Sequence, residues 1–250
     1  MSRTQKAKEN NEKWFGKKQF TNGYTDAEFE NIAGRFLCGD VAEHGVLSDK
    51  QKAIVILTTI TASGTYEVLE KYALAALRVG VSANEIRETL IQCTPYVGME
   101  KVNLALREAY KAFEKAGVTD TLTNQGTVDE DSRFSDGLAV QQHIFGKDNI
   151  NNMRASAAEE TKHIQDYLSA YCFGDFYTRK TLDLKMRELI TFCAICTLGG
   201  CEPQAKSHAA ANISVGNTRE MLIDAVTQCL PFIGFPRTLN ALSCIDAATK

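Results

Sequence analysis

The chain has 250 residues, of which 28 are Lys or Arg and 31 are Asp or Glu, giving a formal charge of −3. That balance offers no basic field for nucleic acid, and the scattered cations form no polybasic membrane patch. With 44% hydrophobic and 24% charged residues, the composition suits a globular protein with a real core, and no apolar run reaches the length of a bilayer span.

Residues 1 to about 25 are polar apart from Trp14, Phe15 and Phe20, and are predicted to form a short arm and a first helix. Apolar spacing at Phe29, Ile32, Ala33, Phe36 and Leu37 predicts a helix over 29–37. Ser48 is placed to cap a helix running through the apolar stretch 53–60, which Ser63-Gly64 ends. Thr65 is expected to cap the next helix, which Gly80 stops. Ser82 with Glu85 reads as a capping box, Pro95 to Gly98 as a break, and 101–116 as a last helix. The stretch 118–133, rich in Thr, Asp, Asn and Gly, reads as a linker between domains over 1–117 and 134–250. Beyond it the order repeats: Asp183 caps 184–198, Gly199-Gly200 breaks it, and helices follow over 202–215, 218–230 and 236–248. Strand signals are nearly absent, so the expected fold is all-α.

The chain says nearly the same thing twice. Gly80 to Gly98 returns as 216–234 at a constant offset of 136, with Gln92-Cys93-Thr94-Pro95-Tyr96-Val97-Gly98 answered by Gln228-Cys229-Leu230-Pro231-Phe232-Ile233-Gly234. Gly39-Asp40 answers to Gly174-Asp175 at 135, and Phe15-Gly16-Lys17 to Phe145-Gly146-Lys147 at 130. So long a period is a duplicated domain and not a solenoid repeat. The copies differ where chemistry would sit: His208 stands opposite Tyr72, Cys201 opposite Thr65, and Glu188 opposite Lys52 or Ala53. One half is equipped, the other stripped.

Cys201 and His208 are seven residues apart, nearly on one face of a helix. Gly199-Gly200 ends the preceding helix and Pro203 suits the first turn of the next, so Cys201 falls at a helix start, where free N–H groups and the dipole favour a thiolate. Glu188 lies on the helix that turns back at the double glycine. A carboxylate, an imidazole and a thiol are therefore expected to open into one cavity. Taken singly each has a bland reading, as a structural histidine, a buried thiol or an acid in a first helical turn. Their joint loss from the sister copy is what raises them above it. Cys193 and Cys196 have redox spacing but sit mid-helix in an apolar run and read as core. His44, His143, His163 and His208 have no metal-ligand spacing with the cysteines, so no metal is expected. Eight cysteines, mostly inside apolar runs, and a polar N-terminus with no signal-peptide pattern point to free thiols in a reducing cytoplasm.

The run Gly174-Asp175-Phe176-Tyr177-Thr178-Arg179-Lys180, then 182–189, His208-Ala209-Ala210, Gly216, 228–234 and Pro236 resembles the carboxymuconolactone decarboxylase family across the second half; residues 39–109 resemble it again. The resemblance implies a tandem AhpD-like helical fold, assembling as a homotrimer that imitates a hexamer of single domains. It implies cofactor-free decarboxylation of a small carboxylated lactone or related acid, with His208 as general acid or enolate donor, Glu188 as its partner and Arg187 holding the substrate carboxylate. The family's other chemistry, thiol-dependent peroxidase activity, would use Cys201 with a Glu188/His208 relay; the second cysteine of that motif is replaced by Gln204. A non-catalytic helical scaffold is the remaining alternative.

Overall fold

The computed structural model of the chain describes residues 1–20, 26–119 and 122–249. Among these there is no strand, and no helix is long and apolar enough to cross a membrane. The first copy comprises α1 (Arg3–Phe15), α2 (Ala27–Arg35), a wide π-type turn over Phe36–Val41, α3 (Asp49–Ser63), α4 (Leu69–Arg78), α5 (Ala83–Gln92), the short α6 (Thr94–Val97) and α7 (Met99–Lys115). The second comprises α8 (Arg133–Phe145), α9 (Lys147–Ala155), α10 (Lys162–Tyr167), a π-type segment over Leu168–Tyr177, α11 (Leu184–Leu198), α12 (Glu202–Ser214) and α13 (Arg219–Thr249).

Local chemistry sets most of these boundaries. Ser48 and Ser82 form capping boxes with Gln51 and Glu85, and the Asp183 carboxylate accepts from the Met186 N–H. Three expectations shift. Asp26 caps α2, so that helix starts and ends earlier than 29–37. Thr65 makes no capping bond, and a 3-10 turn over Tyr66–Val68 precedes α4. The two helices expected over 218–230 and 236–248 run on as α13, bent at Gly234, whose φ is 73°.

Helices α3 and α11 pack against each other at the centre, buried on every side over 52–62 and 187–197. Their buried Thr58, Thr59, Thr61 and Thr197 hydroxyls donate to carbonyls four residues back, so none is left without a partner. Each copy completes the other's core: Leu182 and Ile190 join the cluster around Leu57 and Leu90, while Leu47 and Val55 join that around Phe192 and Leu222.

Polar contacts cross between the copies in matched pairs. Glu88 on α5, fully buried, takes Arg179 in two bonds of 2.8 Å and lies 3.7 Å from Arg187. Gln92, one turn on, accepts from Arg187 at 2.8 Å. In return Asp224 on α13, at offset 136 from Glu88, accepts the Leu47 N–H at 2.7 Å and stands 3.9 Å from His44. Gln228, at the same offset from Gln92, donates to the Val41 carbonyl. Lys52 answers to Arg187: its ammonium donates to the Ala42 and His44 carbonyls, as Arg187 donates to those of Arg179 and Lys180. Gly45 is required here, because a Cβ would overlap the Asp224 carboxylate.

The expected linker is tied to both copies. Arg87 donates to the Thr123 carbonyl, and Gln125 accepts from the Lys180 N–H and the Thr181 hydroxyl. Residues 120 and 121 of that linker, and 21–25 of the expected N-terminal arm, lie outside the described residues.

Removing Glu88 takes the carboxylate away from two guanidinium charges, one of them fully buried, whereas removing Asp224 takes the acceptor from a backbone N–H and from one hydrogen of the Gln228 amide, and leaves a half-exposed imidazole. Glu88→Ala is therefore expected to cost about 3–5 kcal/mol and Asp224→Ala about 1–3 kcal/mol. Urea unfolding of both variants checks this; equal losses, or the reverse order, would contradict the assignment.

Candidate active site

The equipped half brings His208 and Glu188 into direct contact. Glu188 sits one residue past Arg187 in the first turns of α11 and is fully buried; His208 projects from the middle of α12. The imidazole Nδ1 lies 2.8 Å from Glu188 Oε2, and the His208 side chain keeps 11% exposure. The other carboxylate oxygen accepts from the Tyr177 hydroxyl at 2.8 Å. Asn212, one turn beyond His208, donates to the carbonyls of both Glu188 and His208. Asn217 in turn donates to the Asn212 side-chain oxygen and the Lys185 carbonyl. The carboxylate and the ring are thereby fixed to a shared backbone frame.

Behind Glu188 runs a directed chain of hydroxyls. Because Tyr177 donates to Glu188, its oxygen accepts from Tyr96 at 2.9 Å and from Thr191 at 2.8 Å. Thr191 accepts from Gln92 at 3.4 Å, and Tyr96 accepts from the Cys172 thiol at 3.5 Å. Burial, and then the Glu188 carboxylate, push the Tyr177 phenol well above its ordinary value. Burial, Cys172 and Glu188 do the same to Tyr96, and burial pushes the Cys172 thiol up to about 12. All three groups thus stay protonated and act as donors. With Nδ1 facing Glu188, Nε2 is the nitrogen left for chemistry.

Two aromatic rings flank the imidazole edge-on: Phe145 of α8 at 5.3 Å and Tyr96 of α6 at 5.7 Å between centroids. Tyr96 comes from the first copy, so the site is built from both. The segment Leu168–Tyr177 carries Cys172 and Tyr177 into place because Gly137 of α8 and Gly174 let the backbones meet: a Cβ on either would overlap a carbonyl of the other strand of chain.

Cys201 and Arg187 do not join this site. Cys201 has φ −126°, outside the helix it precedes, and its thiol turns toward the Gly199 carbonyl at 3.5 Å. It opens into a separate cleft with Cys196, Cys244 and Arg237, which neither His208 nor Glu188 lines. The shared cavity of three residues expected from the sequence is corrected to a contact of two. Arg187 is fully buried, donates to Leu182, Gln92, Arg179 and Lys180, and is drawn down to about 10 by burial, with Glu88 opposing. These partners are all internal and the side chain is fully buried, which does not fit the expected hold on a substrate carboxylate; Arg187 instead braces α11 against the first copy. Cys193 and Cys196 are buried in the core, and all eight cysteines are free.

The residues that sequence reasoning passed over carry the same signature as those it found. At offset 135 Tyr177 and Thr191 answer to Ala42 and Ile56; at 136 Asn212 answers to Ala76, and Tyr96 to Phe232. The hydroxyl chain and the asparagine brace are as absent from the stripped half as the imidazole is.

Comparison with known proteins finds sequence relatives among decarboxylases. The chain is 22% identical over 123 residues to the 4-carboxymuconolactone decarboxylase of Acinetobacter baylyi, a match covering 49% of this chain and 91% of that protein. It is 26% identical over 128 residues to a nitrosuccinic acid decarboxylase of Metarhizium robertsii, covering 50% and 85%. The profile of the carboxymuconolactone decarboxylase family matches residues 27–112 and again 162–247, and with both copies so matched the chain belongs to that family.

Proposed function

We propose that the His208–Glu188 pair is the centre of a decarboxylase acting on a small carboxylated lactone or related acid without metal or organic cofactor. The observation that carries this reading is the imidazole held at Nδ1 by a buried carboxylate, with Nε2 left beside two aromatic rings. The names of the two relatives support it. Both named acids contain their own electron sink, a lactone carbonyl reached through an alkene in one and a nitro group in the other.

In such an acid the C–COO⁻ bond breaks, CO2 leaves, and the electron pair flows into the sink oxygen. The protein need only favour that oxygen's growing charge and return one proton to carbon. His208, as imidazolium, donates from Nε2, while Glu188 fixes the ring and balances its charge. Tyr177 holds the second Glu188 oxygen so that the carboxylate cannot swing away from Nδ1.

A thiol peroxidase is the second reading, favoured by the cleft that Cys201 shares with Cys196 and Cys244. There the Cys201 thiolate would attack a hydroperoxide oxygen, giving a sulfenic acid and an alcohol. A second thiol would then condense with it, forming a disulfide and releasing water.

Ultraviolet assay of 4-carboxymuconolactone consumption tests the first reading. His208→Gln is expected to lower kcat by about 100-fold or more, Tyr177→Phe by about tenfold, and Cys201→Ser to leave turnover intact. Loss of turnover in Cys201→Ser, or retention in His208→Gln, would remove the decarboxylase assignment. Thiol labelling separates the second reading. Seven of the eight cysteines are buried, so one thiol, absent in Cys201→Ser, should react rapidly in the folded protein. The peroxidase requires, in addition, that peroxide convert this thiol to an intramolecular disulfide; a freely alkylatable Cys201 after peroxide treatment would eliminate it.

A further inference from the structure

The stripped half keeps the ring arrangement of the site and replaces only its chemistry. Tyr72, in the place of His208, meets Phe15 and Phe232 edge-on, each at 5.5 Å between centroids. These two rings answer to Phe145 and Tyr96 at offsets of 130 and 136. They border a cavity of 510 Å³ whose wall is otherwise largely aromatic and aliphatic, including Phe20, Phe36 and Leu37. That volume is within the range that takes a small organic ligand.

The cavity has a charged end. Among the described residues lining it, the only charged ones are Lys71 and Glu30. The Lys71 ammonium stands over the Phe15 ring at 4.5 Å and the Tyr72 ring at 5.4 Å. It also borders an adjoining cleft of 330 Å³ with Lys17, Arg78, Lys115, Glu67 and Glu70. Lys115 and Glu70 pair at 3.1 Å. Lys17, Lys71 and Arg78 form no ion pair with a described residue, so among the described residues that line this cleft three cations stand with the one remaining carboxylate, Glu67. Burial, and next the neighbouring Lys17 charge, hold Lys71 below its ordinary value, while Glu30 acts on it in the opposite sense. Ammonium groups that crowd one another at the edge of an apolar chamber are relieved by an incoming anion.

We propose that the first half is a second ligand site, one that binds an amphipathic monocarboxylate with its ring or chain among Phe15, Tyr72 and Phe232 and its carboxylate at Lys71 and Lys17. This site is separate from the His208–Glu188 pair and does not rest on what that pair catalyses. Lacking an imidazole–carboxylate pair, it holds its ligand without turning it over.

Trp14 is the single tryptophan of the chain and lines the adjoining cleft beside Phe15 and Lys71, so its emission reports on this half of the molecule. Titration with 4-phenylbutyrate should give a saturable change in Trp14 emission, matched by calorimetry. The uncharged isostere 4-phenylbutan-1-ol should bind about tenfold more weakly or worse. Lys71→Gln should lose a similar factor for the acid and nothing for the alcohol, and Lys71→Arg should restore the preference for the acid. His208→Gln should bind the acid as the parent does. Equal affinity for acid and alcohol in the parent protein would overturn the proposal, and that measurement needs no variant to fold. So would the absence of saturable binding by both methods, or loss of binding in His208→Gln.

Discussion

A buried carboxylate reaching from one copy into the other holds this molecule together. Glu88 accepts Arg179 and faces Arg187 in the interior, with Gln92 completing the set. Charges so placed are tolerated only when paired and hydrogen-bonded on all sides, so the first turns of α11 have one position available to them. Glu188 is the next residue in the chain. The contact that fixes the two copies against each other therefore also fixes the carboxylate that orients His208. The mirrored contact joins an equally buried carboxylate, Asp224, to the Leu47 N–H and to a half-exposed imidazole, His44, and it braces the half that lacks the site.

Duplication explains how one half could lose its reactive groups without losing its fold. Helices α3 and α11 occupy equivalent central positions and are equally buried. Where α11 carries Glu188 and Thr191, α3 carries Ala53 and Ile56. The ring triad survives in both halves because it is packing as much as chemistry: Tyr72 between Phe15 and Phe232 fills the space that His208 fills between Phe145 and Tyr96. Exchanging an imidazole for a phenol there keeps an aromatic ring set edge-on to its two neighbours and removes the imidazole–carboxylate pair.

The fold was legible in the sequence wherever structure is set by a few adjacent residues. Ser48, Ser82 and Asp183 announce their helices, and the repeated glycines mark the turns. The two π-type segments were not legible, since they depend on the approach of Gly39 to α1 and of Gly174 to α8, contacts made across many residues of chain. Glu188 and His208 were found by asking what one copy has and the other lacks. The same question, pressed further, reaches Tyr177, Thr191, Asn212 and Tyr96. Cys201 misled because counting seven residues to one helical face ignores that two turns separate its ends by about 10 Å along the axis. Its backbone is also not helical, so the face being counted does not include it. Arg187 misled for the opposite reason: a cation beside a candidate acid looks like a substrate clamp, and only its bonds to Gln92 and to the Leu182, Arg179 and Lys180 carbonyls show where its donors go.

Each half's ring triad takes one member from its sister, Tyr96 in the second and Phe232 in the first, and this bears on why the stripped half persists. In the second half the borrowed ring is also a hydrogen-bond donor. Tyr96 relays from Cys172 to Tyr177 and so to the Glu188 carboxylate. A chain of donors ending on a buried acceptor is worth more than its members taken singly, because each bond polarises the next. Cutting it at Tyr96 would leave Tyr177 with one fewer donor at the oxygen through which it steadies Glu188. The first half can therefore shed its own imidazole and carboxylate, yet it cannot be dispensed with: it supplies the buried anion that sets α11 and the phenol that closes the network around the site.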